Sequence, residues 1–171
     1  MTFLKTLAAG ALVLAMAACT NTADSAAGSG AGAGTGVASG VGVNNNVDRS
    51  SLAYFTTAVG DRIFFDTASS NLSTAAQNTL DLQAQWLQQY SDRTLTLQGH
   101  ADERGTREYN LALGARRAQA AYDYLVSRGI DPSRMTTVSF GKERPVELCS
   151  EERCWQQNRR TVTVIAGGVG S

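Results

Sequence analysis

Histidine is almost missing from this chain of 171 residues, where His100 stands alone. A His-rich metal site is thereby excluded, because such a site draws several imidazoles together. Neither a Gly-x-Ser-x-Gly elbow nor a His-Glu-x-x-His pair occurs, and both would be needed for their hydrolytic chemistries. Asp102 and Glu103 are chain neighbours pointing in different directions, not an opposed acid pair. With no activated nucleophile, metal-bound water or paired carboxylates, the chain reads as a non-enzyme that needs no metal and no cofactor. A thiol hydrolase built from Cys149 or Cys154 with His100 is the one enzymatic arrangement left, and it fails if the two cysteines are joined. An excess of either charge is missing too, since Lys+Arg and Asp+Glu both number 15. No basic field is available to hold nucleic acid.

Long apolar runs are also lacking. Residues 7–18 are apolar or small and follow Lys5. That run is shorter than the roughly 20 residues of a membrane span and suits the core of a signal peptide. It ends in Met16-Ala17-Ala18-Cys19, which resembles a bacterial lipobox. The expectation is a signal peptide over 1–18 and a lipidated Cys19, the alternative being an ordinary signal peptide cut after Ala18. Several acyl chains, each buried CH₂ contributing about 0.8 kcal/mol, make an effectively permanent anchor. Thr20 stands where some bacteria read an Asp as a sorting signal, which implies the outer membrane by resemblance.

Cysteine is scarce as well. Besides Cys19 there are only Cys149 and Cys154, five positions apart in a polar stretch. In an exported chain a disulfide between them is the preferred reading. Two free thiols, or half of a metal site short of further ligands, are the alternatives.

Glycine, by contrast, is plentiful and unevenly placed. Residues 19–46 are mostly Ala, Gly, Ser, Thr and Asn, including Gly28-Ser29-Gly30-Ala31-Gly32-Ala33-Gly34. Such a segment buries too little apolar surface to offset the entropy of ordering. It is expected to be a flexible linker with a coil span of roughly 26–31 Å and a full reach of about 90 Å. A folded domain over 47–171 follows.

Within that domain the patterns alternate. Arg62-Ile63-Phe64-Phe65-Asp66 is rich in β-formers, and Ser73 is placed to cap a helix whose Ala76, Leu80, Ala84 and Leu87 share one face through Tyr90. Thr94-Leu95-Thr96-Leu97-Gln98 alternates as a strand. A second helix is predicted from about Thr106 to Arg128, stopped by Gly129 and Asp131-Pro132. Further strands are expected at 135–140 and 161–165, with a polar loop and a possible short helix between them. The fold class is α+β, with helices packed on one face of a small mixed sheet.

The densest chemistry lies where the second strand meets the second helix. At 100° per residue, Leu111, Gly114, Ala115, Ala118, Ala121, Tyr122, Leu125 and Val126 form the face expected to meet the sheet. Asn110, Leu113, Arg117 and Tyr124 fall on its border. An arginine at the edge of a core is partly desolvated and suits bidentate capture of a carboxylate. Asp102, in the preceding loop, either pairs with Arg117 internally or faces an incoming cation. An acid and a base this close can together hold a zwitterion, as in an amino-acid end group.

Gly99-His100-Ala101-Asp102-Glu103-Arg104-Gly105-Thr106, Glu108-Tyr109-Asn110, Leu113-Gly114 and Arg116-Arg117-Ala118 resemble the OmpA-like domain family, in its branch of peptidoglycan-associated lipoproteins. Ile63-Phe64-Phe65-Asp66, Ser139-Phe140-Gly141-Lys142-Glu143-Arg144-Pro145 and Asn158-Arg159-Arg160 match the same family in the same order. The resemblance implies a domain that binds diaminopimelate in the peptidoglycan stem peptide. Asp102 and Arg117 would take its ammonium and carboxylate, and Phe65, Asp66, Asn110 and Leu113 would line the pocket. It also implies TolB and other Tol proteins as partners, and a role in tethering the outer membrane to the wall during constriction. Thr67-Ala68-Ser69-Ser70 departs from the Lys-containing loop often found there, and Cys149 and Cys154 lie outside the family motif. A pure protein-docking module is the alternative function. Trp86 and Trp155 read as core or loop-covering aromatics, His100 as a structural group hydrogen-bonding the loop, and Asn158, Arg159 and Arg160 as packing and loop-bonding residues.

Overall fold

In the computed structural model the described residues are 47–166. The expected signal peptide, lipidated Cys19 and linker lie outside them. The described chain opens with a helical turn, α1 (Leu52–Tyr54), that runs on as a π-helical stretch (Phe55–Gly60). Ser51 caps it by accepting from the Tyr54 amide at 3.1 Å. Then come β1 (Arg62–Phe64), α2 (Thr74–Gln89), β2 (Thr94–His100), α3 (Arg107–Ser127), β3 (Met135–Gly141), α4 (Glu152–Asn158) and β4 (Arg160–Ala166). The strands form one mixed sheet in the order β1-β4-β2-β3. Only the β2–β3 pair, joined through α3, is parallel, as a helical crossover requires.

Strand alternation puts one face of the sheet in the core. Ile63, Leu95 and Leu97 point inward to meet Leu80, Leu87, Ala118, Ala121 and Leu125 of α2 and α3. On the other face Thr96 and Thr136 share a hydrogen bond at 3.0 Å. The expected α2 face is the one buried, together with Trp86, and Ser73 is its N-cap. Gln83 is a wholly buried polar member of that face. It is satisfied by donating to the Gly60 carbonyl at 2.7 Å and accepting from Thr163 Oγ1 at 2.8 Å.

The orientation of α3 departs from the helical-wheel expectation. Its buried residues are Asn110, Leu113, Gly114, Arg117, Ala118, Ala121 and Leu125, whereas Leu111 and Val126 are 47% and 36% exposed. Two contacts explain the rotation. A Cβ on Gly99 would lie 1.8 Å from the Gly114 carbonyl oxygen, and one on Gly114 would lie 2.4 Å from Ser139 Oγ. Backbones of β2 and α3 touch there because neither residue has a side chain, and that contact fixes which stripe of α3 turns inward. The buried stripe then carries Arg117 against three carbonyl oxygens, so a charged residue occupies the interior and Leu111 does not.

Candidate ligand-binding cleft

The strand-to-helix loop 101–106 is pinned from several sides. Ala101 donates to the Gly141 carbonyl at 2.8 Å, and the Lys142 ammonium donates to the carbonyls of Glu103 and Gly105 at 3.2 and 2.7 Å. Asn110, 1% exposed, donates to the Arg104 carbonyl at 2.8 Å. Thr106 caps α3 by accepting from the Tyr109 amide at 3.1 Å. Gly105 takes a φ of +93°, a conformation most side chains would strain. The loop is therefore built before any ligand arrives.

Beside it lies a cleft of about 240 Å³. This is smaller than the roughly 300–1,000 Å³ of sites that swallow whole small molecules, and its size suits an end group. Of the residues singled out from sequence, Asp102, Asn110 and Leu113 line it, and the remaining walls are Thr67, Ala68, Arg104, Gly105 and Tyr109. Phe65 and Arg117 do not reach it, being 4% and 0% exposed. Asp66 is exposed at the end of the β1 segment.

Arg117 instead works from behind the wall. Its Nε donates to the Ser69 carbonyl at 2.8 Å, Nη1 to the His100 carbonyl at 2.8 Å and Nη2 to the Asp66 carbonyl at 3.0 Å. Its guanidinium carbon sits 5.1 Å from the centre of the Phe65 ring. One fork thus ties loop 66–69, which carries the cleft residues Thr67 and Ala68, to the end of β2. Burial lowers the Arg117 pKa to about 10, which leaves it protonated at neutral pH. The internal Asp102–Arg117 salt bridge, one of two readings open from the sequence, is not formed. Nor does the buried Arg117 face the cleft to take a carboxylate, the role that the resemblance implies.

Asp102 is held by two other arginines. Arg104 donates from its backbone amide and Nε to Oδ1 at 3.1 and 3.3 Å, and from Nη2 to Oδ2 at 2.7 Å. Arg159, buried at 4%, adds Nη1 to Oδ2 at 3.3 Å and donates through Nε to the Phe65 carbonyl at 3.1 Å. Burial of the Asp102 carboxyl pushes its pKa up, but the Arg104 and Arg159 hydrogen bonds outweigh this and the net shift is downward. The carboxylate is ionised at neutral pH. Sequence reasoning missed Arg104 as a cleft residue, because a loop pair two positions apart has no periodicity to reveal it.

Around the cleft, Asn158, Arg159 and Arg160 do the packing and loop bonding expected of them. Asn158 Oδ1 accepts from the Val146 and Glu147 amides at 2.8 and 3.2 Å, and Arg160 Nη2 donates to the Arg144 carbonyl at 3.1 Å. Trp86 is core, donating to the Arg49 carbonyl at 2.7 Å. Trp155 covers the loop, donating to Glu103 Oε1 at 3.1 Å. His100 differs from expectation. Its ring is 2% exposed, neither nitrogen has a hydrogen-bond partner, and it stacks on Phe140 at 5.5 Å. Its carbonyl accepts from Arg117 Nη1. Cys149 and Cys154 form a disulfide, with Cα atoms 5.7 Å apart, so neither is a free thiol for His100 to activate. Among the described residues no group of three or more His, Cys, Asp or Glu could hold a metal ion, and no helix is long and apolar enough to cross a membrane.

The OmpA family matches residues 64–159, which include the whole cleft. The chain belongs to the OmpA family. A relative in Rhizobium meliloti, the peptidoglycan-associated lipoprotein, is 64% identical over 117 residues, covering 68% of this chain and 66% of its own length. The chain therefore matches slightly under two thirds of that curated relative. Among solved structures, the peptidoglycan-associated lipoprotein from Burkholderia pseudomallei superposes with a TM-score of 0.62 at 39% identity, covering 65% of this chain and 96% of that one. The C-terminal domain of Helicobacter pylori MotB matches with a TM-score of 0.60 at 18% identity, covering 64% and 86%. At that identity it speaks for the fold alone. The relatives from Rhizobium meliloti and Burkholderia pseudomallei both carry the name peptidoglycan-associated lipoprotein.

Proposed function

We propose that this chain is an outer-membrane lipoprotein whose OmpA-family domain grips peptidoglycan without covalent chemistry. The single observation that carries the reading is a prebuilt cleft of end-group size in which an ionised Asp102 lies beside an accessible arginine. The ligand is the diaminopimelate of the stem peptide, whose free end presents an ammonium and a carboxylate together. Asp102 takes the ammonium, Asn110 and Leu113 shape the cavity, and Phe65, Asp66 and Arg117 hold the wall that carries Thr67 and Ala68. Residues 1–18 serve as a signal peptide, Cys19 carries the lipid, and residues 19–46 are the leash between membrane and wall. Support for this half comes from the sequence and from the lipoprotein relatives.

On the family's pattern the wider role is to tie the outer membrane to the wall within the Tol–Pal system, including during cell division, with TolB and other Tol proteins as partners. Val146 and Leu148, 49% and 84% exposed, offer such a partner apolar contact in the segment leading into Cys149. The test is co-sedimentation of the full chain with purified peptidoglycan, with and without free meso-diaminopimelate. Sedimentation that diaminopimelate abolishes is the expected result. A chain that stays in the supernatant would refute wall binding, and sedimentation indifferent to diaminopimelate would refute the ligand.

A further inference from the structure

The disulfide lies outside the motif that marks the family, yet the segment it closes leans directly on the cleft. Residues 149–155 touch three side chains around Asp102. Trp155 Nε1 donates to Glu103 Oε1 at 3.1 Å. The Arg104 guanidinium lies over the Trp155 ring, 4.1 Å from its centre. Glu152 lies 4.0 Å from Arg104 Nη2 through one oxygen and accepts from Arg159 Nη2 through the other. Trp155 follows Cys154 immediately, so the disulfide restrains the shelf on which Arg104 rests.

The consequence for binding is electrostatic. Arg104 is 39% exposed along its side chain, lines the cleft, and already occupies both oxygens of Asp102. An incoming ammonium must share or displace it. A ligand carrying an ammonium alone would leave the displaced guanidinium only the exposed Glu152, 4.0 Å away, as a counter-charge. A zwitterionic ligand exchanges the internal pair for two new ones, ammonium to Asp102 and carboxylate to Arg104, and keeps every charge matched. Arg117 cannot serve as that second cation, because its fork is spent on three carbonyls and it is fully buried.

We infer that the disulfide-closed segment 149–155 is a selectivity element: by holding Arg104 across Asp102 on the Trp155 shelf, it makes the cleft accept zwitterionic end groups and reject simple amines. Trp155 is a positioning residue here, acting through Arg104. The inference rests on the diaminopimelate reading and specifies how that site discriminates.

The experiment compares meso-diaminopimelate with 1,5-diaminopentane, which keeps both amines at the same spacing but lacks both carboxylates. Each is titrated calorimetrically into the full chain, the Arg104→Gln, Trp155→Ala and Trp155→Phe variants, and a Cys149→Ser/Cys154→Ser double variant. Circular dichroism checks the fold of each. The unaltered chain should prefer diaminopimelate by about tenfold or more, the size expected when charge-assisted hydrogen bonds are lost without replacement. In Arg104→Gln, Trp155→Ala and the double serine variant the preference should shrink to within about threefold, because an undocked or absent guanidinium no longer guards Asp102. Trp155→Phe, which restores an aromatic face without the indole N–H, should recover most of it. An unchanged preference in the folded Trp155→Ala and double serine variants would overturn the inference while leaving the diaminopimelate reading intact. Failure of the unaltered chain to bind diaminopimelate would overturn both.

Discussion

Replacing Arg117 by methionine should unfold this domain far more readily than its helix position suggests. The side chain is fully buried and bonds three carbonyls, those of Ser69, His100 and Asp66, from two separate parts of the chain. Methionine has a similar reach but no donors. A buried acceptor left unpaired costs roughly 1–3 kcal/mol, and hydrogen bonds from a charged donor contribute about 1.5–3 kcal/mol. Water can re-solvate the Ser69 and Asp66 carbonyls, which lie on the accessible loop, but not the His100 carbonyl in the core. Allowing for that and for non-additivity, the expected loss is about 3–5 kcal/mol. Set against the roughly 5–15 kcal/mol of a typical domain, this is a large fraction. Urea unfolding followed by circular dichroism would measure it as a fall in midpoint at unchanged slope. An arginine kept desolvated for a ligand, without internal partners, would stabilise the fold when replaced by methionine. A loss under about 1 kcal/mol, or a gain, would therefore refute the wall-tying role.

Two further perturbations test the frame that carries the cleft. Gly99→Ala drives a methyl to 1.8 Å from the Gly114 carbonyl oxygen, backbone against backbone, so destabilisation should reach or exceed the upper end of the roughly 1–3 kcal/mol typical of overpacking. A urea midpoint within error of the unaltered chain would show that β2 and α3 can part without cost. His100 should make stability pH-dependent, because burial first, then the Arg160 and Arg144 charges, lower its pKa from 6.5 to about 4. The unfolded chain then binds more protons between those values, so stability is full above pH 6.5 and falls as pH drops toward about 4, by roughly 3 kcal/mol in all. Urea titrations at several pH values, compared with His100→Leu, should show that slope only while the histidine is present. Equal slopes in the two proteins would contradict its burial as a neutral ring.

Much of this architecture was legible before any coordinates. Ser73 announces α2, its apolar residues recur at helical spacing, and the strands at 94, 135 and 161 show themselves by β-branched runs. Those signals are local and depend on side-chain type alone. The face of α3 was legible only in part: Gly114, Ala118, Ala121 and Leu125 turn inward as the helical wheel has them, but the wheel puts Leu111 inside and Arg117 no deeper than the border. Here two glycines set the helix, and three carbonyl oxygens make the interior hospitable to Arg117 while Leu111 is left exposed. The opening helix from Leu52 was missed for a different reason: its π-helical stretch breaks the 3.6-residue period on which recognition depends. Within the cleft, Asp102 was singled out from its place at the strand–helix junction, whereas Asn110 and Leu113 were named as lining by the family resemblance. Arg104 was passed over, since its importance comes from a carboxylate two residues back and a tryptophan fifty-one positions ahead.

Binding of the stem-peptide end group in the cleft beside Asp102 can be seen residue by residue by nuclear magnetic resonance. The ¹⁵N-labelled full chain would be titrated with meso-diaminopimelate and its amide shifts mapped. Shifts confined to Asp102, Arg104, Tyr109, Asn110 and the facing Thr67 and Ala68, with Thr96, Val162 and Val164 on the open sheet silent, are what the account predicts. Shifts gathered on that open sheet, or none at saturating ligand, would contradict it.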